Sequence, residues 1–537
     1  MRFIVEYSRA FFFTANLLIH FDVGTVKADN YLAVLMLAKG SHLLATEAVL
    51  QALTDRGHNV SLLIPPVLPE HSHEEVTKNT NVTVINTFTS PTVMKEIAEI
   101  PRHIDTMVAS GMKGDKKEEL FKKMKISTIF DAVCESFLSN ATFMNVLRRR
   151  KFDLMFADII SGCPILIAQS LQLKYTTLTT MILPHYHAAP HRSPINPSYI
   201  PVLTTGYSHR MNFAQRLTNA LLSTFMTLVY VSATRNNDIL KEKYGIMPEI
   251  STYNSLGKAE IWFINSHFAL EYPRPLVPNA VLVGGLTAKP SKHLNKDLEA
   301  FMQQSGPHGV VVFSLGTYMD VMETKEAEMI ADAFASIPQK VIWKKSGQTP
   351  ANVSNNVHLV QWMPQNDILG HKQTRLFISH CGLNSAFEAL YHAVPIVCIP
   401  IFADQLDVAA RVVSNGIGLQ LNLQILTTTD LQDTIRTVLQ DKRFQENMDR
   451  LSSIYRDEPL MPAERVAYWM EYVVRHSGTS HLKSAALDLN FFQYYLLDVA
   501  AFLTLFVICF IILLKYLFRI VLRRLTMLTV GLKSKSE

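Results

Sequence analysis

Several kinds of chemistry are missing from this chain. Its five cysteines (134, 163, 381, 398 and 509) form no C-x-x-C pair and no even-numbered framework, so neither a zinc site nor a disulfide-stapled secreted fold is expected. Cys381 falls in a turn that needs a small residue and Cys509 in an apolar run, so packing is the expected role of both. No D-x-D, H-E-x-x-H, G-x-x-x-x-G-K or full G-x-G-x-x-G occurs, which leaves a metal-bound nucleotide, a P-loop and a nicotinamide fingerprint without support. Charged residues make up only 18% of the chain against 48% apolar, a globular balance with some membrane character. The net charge of +5 sits at one end: six bases against one acid between residues 515 and 537 account for all of it. No basic field remains for nucleic acid. Internal repeats and low-complexity tracts are also lacking.

At 537 residues the chain exceeds one core and implies at least two domains. Arg2, the apolar stretch from Phe11 to Ile19 and the small residues of Val26-Lys27-Ala28 read as a signal peptide cleaved near Ala28. An apolar strand (Tyr31 to Ala38), the loop Lys39-Gly40-Ser41-His42, an amphipathic helix to Gly57 and a second strand (Asn59 to Ile64) open a doubly wound α/β domain. Ligands of such domains bind at the C-terminal strand ends, where His42 sits. Phe152 to Ala157 repeats the arrangement, with Asp158 at its end. The Pro-rich stretch Pro184 to Pro201, with His185, His187 and His191, is expected as a solvent-exposed or acceptor-pocket loop; prolines deny it metal-ligand geometry. After a polar linker (Lys289 to Lys296) the alternation restarts at Val310 to Ser314, so a cleft between two α/β domains is expected.

The densest cluster of polar residues runs from Trp362 to Gln405. A strand (Leu376 to Ser379), the small-residue turn His380-Cys381-Gly382 and a helix from Asn384 make an anion site, since first-turn N–H groups lack helical partners. Asn384 and Ser385 suit capping or a phosphate oxygen. Glu388, one turn on, suits the paired hydroxyls of a ribose. Trp362 offers a stacking face, and Asp404 with Gln405 suits a sugar. A plain βαβ unit with a buried Trp explains the turn but not the whole set.

In order and spacing, W-x-P-Q (Trp362 to Gln365), H-C-G-x-N-S (His380 to Ser385), Glu388 and Asp404-Gln405 resemble the signature of the UDP-glycosyltransferases, the family that includes the UDP-glucuronosyltransferases. The likeness spans nearly the whole chain, including N-S-H-F-A-L-E-Y-P-R-P from Asn265 and W-M-E-Y-V-V-R-H from Trp469. It implies a GT-B fold of two facing Rossmann-like domains. It also implies a catalytic pair, His42 with Asp158, and a diphosphate site of Ser314, His380, Gly382, Asn384 and Ser385, with Trp362, Gln365, Glu388, Asp404 and Gln405 completing the UDP-sugar site. The expected reaction is a metal-independent, inverting transfer from UDP-glucose or UDP-glucuronate to a lipophilic acceptor, with no cofactor beyond the UDP-sugar co-substrate. Cys381 stands where the vertebrate glucuronosyltransferases usually have Gly. Asn265 falls where many glucuronate users carry an arginine, which favours UDP-glucose. The competing class is a non-catalytic membrane protein that keeps the fold to bind a lipophile or a partner chain.

From Val499 to Leu514 every residue but Thr504 is apolar, and extension to Phe518 gives about the 20 residues a bilayer core needs. Apolar residues from Leu217 to Val231 suggest a second, membrane-facing helix. The basic tail after the span is expected in the cytosol, which with the signal peptide makes a single-pass type I protein with lumenal domains. Lys533-Ser-Lys535-Ser-Glu537 resembles an endoplasmic-reticulum retrieval signal. The expected organisation is a signal peptide (1–28), an acceptor-binding domain (29–285), a UDP-sugar-binding domain (286–455), crossing-back helices (456–493), a transmembrane helix (494–518) and a tail (519–537). A homo-oligomer is compatible with it.

Overall fold

The computed structural model describes residues 28–37, 40–65, 81–85, 126–316, 324–345 and 349–533. The signal peptide, apart from Ala28, and the retrieval signal beyond Lys533 lie outside these residues. The chain forms two compact units, Met1–Leu482 and Lys483–Glu537.

The first unit is built on two parallel sheets. Strands β1 (Asn30–Val34), β2 (Asn59–Leu63), β3 (Val82–Ile85), β4 (Leu154–Asp158), β5 (Tyr175–Thr179), β6 (Trp262–Ile264) and β7 (Ala280–Leu282) lie in the order β3-β2-β1-β4-β5-β6-β7. Strands β8 (Val310–Ser314), β9 (Lys340–Lys344), β10 (Val357–Val360), β11 (Thr374–Ser379), β12 (Ile396–Cys398) and β13 (Gly418–Gln420) lie in the order β10-β9-β8-β11-β12-β13. Both sheets are doubly wound, and each reverses direction once, at β1/β4 and at β8/β11. Helices cover both faces of such sheets, so their strands carry unbroken apolar runs; VVVFS in β8 and LMFAD in β4 are buried at every position. Ligand sites of this fold lie where the strand order reverses.

The helix Pro462–Arg475 lays Val466, Ala467, Met470 and Val473 on the core around β1 and β2. Its Glu471 receives both Arg56 Nε and Nη2, at 2.6 and 2.7 Å, and faces His58 Nε2 at 2.9 Å. This ties the last helix of the unit to the turn before β2.

Two expectations fail here. Where no disulfide framework was expected, Cys134 pairs with Cys163, and Cys381, read as packing, pairs with Cys398, with Cα atoms 5.4 and 5.3 Å apart. Their separations of 29 and 17 residues carry no local pattern, and only the docking of a helix and the adjacency of β11 and β12 bring them within bonding reach. Of the two readings of the histidine stretch, solvent-exposed or acceptor-pocket loop, the solvent-exposed one fails. His185, His187 and His191 are buried, a short helix spans His185–Ala188, and His191 stacks on Trp262 with ring centroids 4.0 Å apart.

In the second unit one continuous helix, Leu497–Lys533, follows the short helices Ala485–Leu487 and Phe491–Tyr494 and continues well beyond the expected span. Its segment Leu497–Met527 has 31 residues, and its most apolar 18-residue window has a mean hydropathy of 2.8, so it is long and apolar enough to cross a membrane. In the first unit, Phe213–Tyr244 passes the same test of length and composition. There the helix Phe213–Ala233 starts on an Asn212/Gln215 capping box and exposes Phe213, Leu217, Leu221, Phe225 and Leu228.

Candidate active site

Both reversal points carry the residues that the sequence singled out. His42 lies in the first turn of the helix Gly40–Asp55 that follows β1, and Asp158 ends β4. His42 Nδ1 is 2.5 Å from Asp158 Oδ2, and the carboxylate is almost wholly buried. Thr180, just past β5, places its hydroxyl 3.0 Å from His42 Nδ1 and 3.4 Å from Nε2. Burial pushes the imidazole pKa down, but Asp158, with Asp404 adding to it, outweighs burial and holds it above the ordinary 6.5.

At the second reversal, β8 ends at Ser314 and β11 leads into the turn His380–Gly382. The helix Leu383–Tyr391 begins at Gly382 without a side-chain cap, so its first-turn N–H groups are not spent on a capping side chain. The His380 ring lies across two glycines: a Cβ on Gly382 would come 2.6 Å from its Nε2, and one on Gly316 2.8 Å. That packing explains both glycines. Cys381 sits at φ 58°, the left-handed region where glycine is favoured. Burial lowers the His380 pKa to about 4, so the ring is neutral near pH 7. Ser314 is buried, and its Oγ accepts the Gly316 N–H at 3.3 Å.

Further along, Gln365 Nε2 donates to Glu388 Oε2 at 2.7 Å and to Ser385 Oγ at 3.1 Å, which joins three predicted residues. Thr287, which sequence reasoning missed, donates to Glu388 Oε1 at 2.7 Å. Burial raises the Glu388 pKa and these two bonds offset part of the rise. Trp362, by contrast, is 74% exposed, which excludes the buried-Trp reading. Gln405 is buried, with its Oε1 accepting Ile401 N–H and Phe402 N–H, so it braces the loop before its own helix. Asp404 Oδ2 accepts the Ile182 N–H of the other half at 3.2 Å; burial raises its pKa above the usual carboxylate value.

The halves also meet directly. Asn384 Nδ2 donates to Ser41 O at 3.3 Å, one residue before His42. Thr180 had no sequence signal beyond its place at a strand end. Among the described residues no group of three or more His, Cys, Asp or Glu is arranged to hold a metal ion.

Two facing doubly wound sheets, with an imidazole–carboxylate pair on one and a small-residue turn into an uncapped helix on the other, have the architecture of the GT-B class of glycosyltransferases. The UDP-glucosyltransferase from Polygonum tinctorium shares this fold, with a TM-score of 0.59 and 16% identity over 83% of this chain and 99% of that one. So does the glycosyltransferase SnogD from Streptomyces nogalater, with a TM-score of 0.56 and 17% identity over 83% and 100%. The family described as UDP-glucoronosyl and UDP-glucosyl transferase matches residues 32–530. UDP-glucuronosyltransferase 2A3 of Mus musculus is 35% identical over 475 residues, 87% of this chain and 88% of its own. UDP-glucuronosyltransferase 1A6 of Homo sapiens is 33% identical over 482 residues, 89% of each. The chain therefore belongs to the UDP-glycosyltransferase family, and it is an enzyme that transfers a sugar from a UDP-sugar to an acceptor.

Proposed function

We propose that the chain transfers a hexosyl group from UDP-glucose or UDP-glucuronate to a hydroxyl of a small lipophilic acceptor, in one inverting displacement with His42 as general base. The observation that carries this reading is the 2.5 Å contact of His42 Nδ1 with Asp158. It orients the ring so that Nε2 accepts the hydroxyl proton, and the carboxylate balances the imidazolium that forms. As the acceptor oxygen bonds to the anomeric carbon, the bond from that carbon to the UDP oxygen breaks. UDP leaves with the electron pair. Its growing charge is met by first-turn N–H groups, neutral His380, Asn384 and Ser385, fixed donors rather than a cation. Ser314, buried behind the turn, holds the backbone under His380. In this reading Trp362 stacks on the uracil, Glu388 with Gln365 takes the ribose hydroxyls, and Asp404, with Gln405 bracing its loop, takes the hexose.

Two observations bear on the sugar in opposite directions. Asn265 brings no cation for a carboxylate, which favours glucose, whereas the relatives named above are glucuronosyltransferases. In the same reading the chain is a single-pass type I protein of the endoplasmic-reticulum membrane with both sheets lumenal; the apolar helix Leu497–Met527 and its basic flank support the span and its orientation. UDP release from each donor with a panel of phenols and sterols tests the reading. Release should depend on an acceptor and differ between donors; no release with any pair would overturn it in favour of a binder.

A further inference from the structure

We propose that Asn265 is a positioning residue: together with Asn384 it holds the His42 ring in register with the anion-binding helix across the cleft. This rests on His42 as the base. Asn265 follows β6, is 1% exposed, and spends its whole amide. Its Oδ1 accepts the Gly285 N–H at 3.0 Å, and its Nδ2 donates to Thr180 O at 3.3 Å and to Asn384 Oδ1 at 3.1 Å. An amide offers two N–H donors and one carbonyl, so the Gly285 N–H fixes which end is oxygen. Asn384 Oδ1 is thereby committed to Asn265, which turns the Asn384 amide so that its Nδ2 reaches Ser41 O.

The bonds close a loop around the base. One end holds the backbone of Ser41, immediately before His42; the other holds the backbone of Thr180, whose hydroxyl lies against both ring nitrogens of His42. In the middle stands Asn384, in the first turn of Leu383–Tyr391. Parting of the halves breaks the two bonds that Asn384 makes and leaves the Asn265 amide without one of its protein partners. The base is thus held in register only while the donor helix is docked. Asn265 acts on turnover through His42 and does not itself touch the sugar.

The test is Asn265→Ala, with Asn265→Asp as a near-isosteric second variant that keeps the Gly285 bond and loses both donated ones. Full-length protein is assayed in membranes or detergent, alone and with His42→Ala. Placing a reacting group about 1 Å out of register costs on the order of 10²-fold, so kcat should fall by about 10- to 100-fold, with donor KM and UDP affinity within about threefold. In the His42→Ala background neither Asn265 change should lower the residual rate further. An unchanged kcat, a loss confined to donor KM, or an equal fractional loss without His42 would each overturn the relay and leave the base assignment standing. Wild-type turnover by His42→Ala alone would overturn both.

Discussion

His42 and Asp158, 116 residues apart in sequence, meet at 2.5 Å because β1 and β4 are neighbours at the reversal point of the first sheet. The pH dependence of transfer follows from that contact. Asp158 holds the imidazole pKa above 6.5, so the base form is lost as pH falls through a value above 6.5, and the acidic limb of kcat/KM should lie there. Asp158→Asn removes the largest raising cause and leaves burial opposed by Asp404 alone, which should move the limb to lower pH and reduce the plateau. His42→Ala should lower kcat by about 10²–10⁴-fold. A limb that Asp158→Asn leaves in place would argue against the pair, and a pH–rate profile of the variants decides it.

Glu388 is buried between Gln365 and Thr287. Replacing it by Ala should raise donor KM with little change in kcat, by about 10- to 150-fold for a charged hydrogen bond worth about 1.5–3 kcal/mol. Because burial raises its pKa, donor affinity should weaken as pH falls through that raised value and the carboxylate is neutralised. Titration calorimetry with UDP at several pH values would show a normal, pH-independent affinity if Glu388 has no part in binding.

Trp362, the exposed indole of the W-M-P-Q segment, has no core to stabilise. Trp362→Ala should leave the melting temperature unchanged while weakening UDP binding by about 1–3 kcal/mol, the worth of one stacked base. Equal binding of UDP by the variant would remove the stacking role.

Glu471 joins the Pro462–Arg475 helix to Arg56 and His58. Burial pushes its pKa up, but the bonds from Arg56 and His58 outweigh burial and hold it below the ordinary 4.5. A depressed carboxylate contributes stability above the unfolded value and loses it as pH falls through the folded one. Melting temperature should therefore fall in acid below about pH 4.5, and Glu471→Gln should flatten that fall and cost about 1–2 kcal/mol near neutrality. Thermal melts of both proteins across pH 3.5–7 would show parallel curves if the contact contributes nothing.

Strand positions were legible wherever an apolar run was long. Val310–Ser314 matches its expected limits, and β2 ends one residue short of the expected Asn59 to Ile64, because buried parallel strands leave a one-dimensional trace. Short strands such as β13, three residues at the sheet edge, left none. The Pro-rich histidine stretch misled as to exposure because its local text is that of a loop, while His191 is covered by Trp262, some seventy residues later.

The sequence by itself determined two α/β halves, an apolar C-terminal helix and the small-residue turn that opens a helix after β11, since each depends on periodicity or on neighbouring residues. Only the tertiary structure decided which distant residues meet: Asp158 with His42 and Thr180 beside the ring within the first half, Asn265 with Asn384 across the cleft, and the paired cysteines within each half. These contacts join residues tens to hundreds of positions apart. Strand order brings them together, and strand order is set by how whole layers pack, which no local pattern encodes.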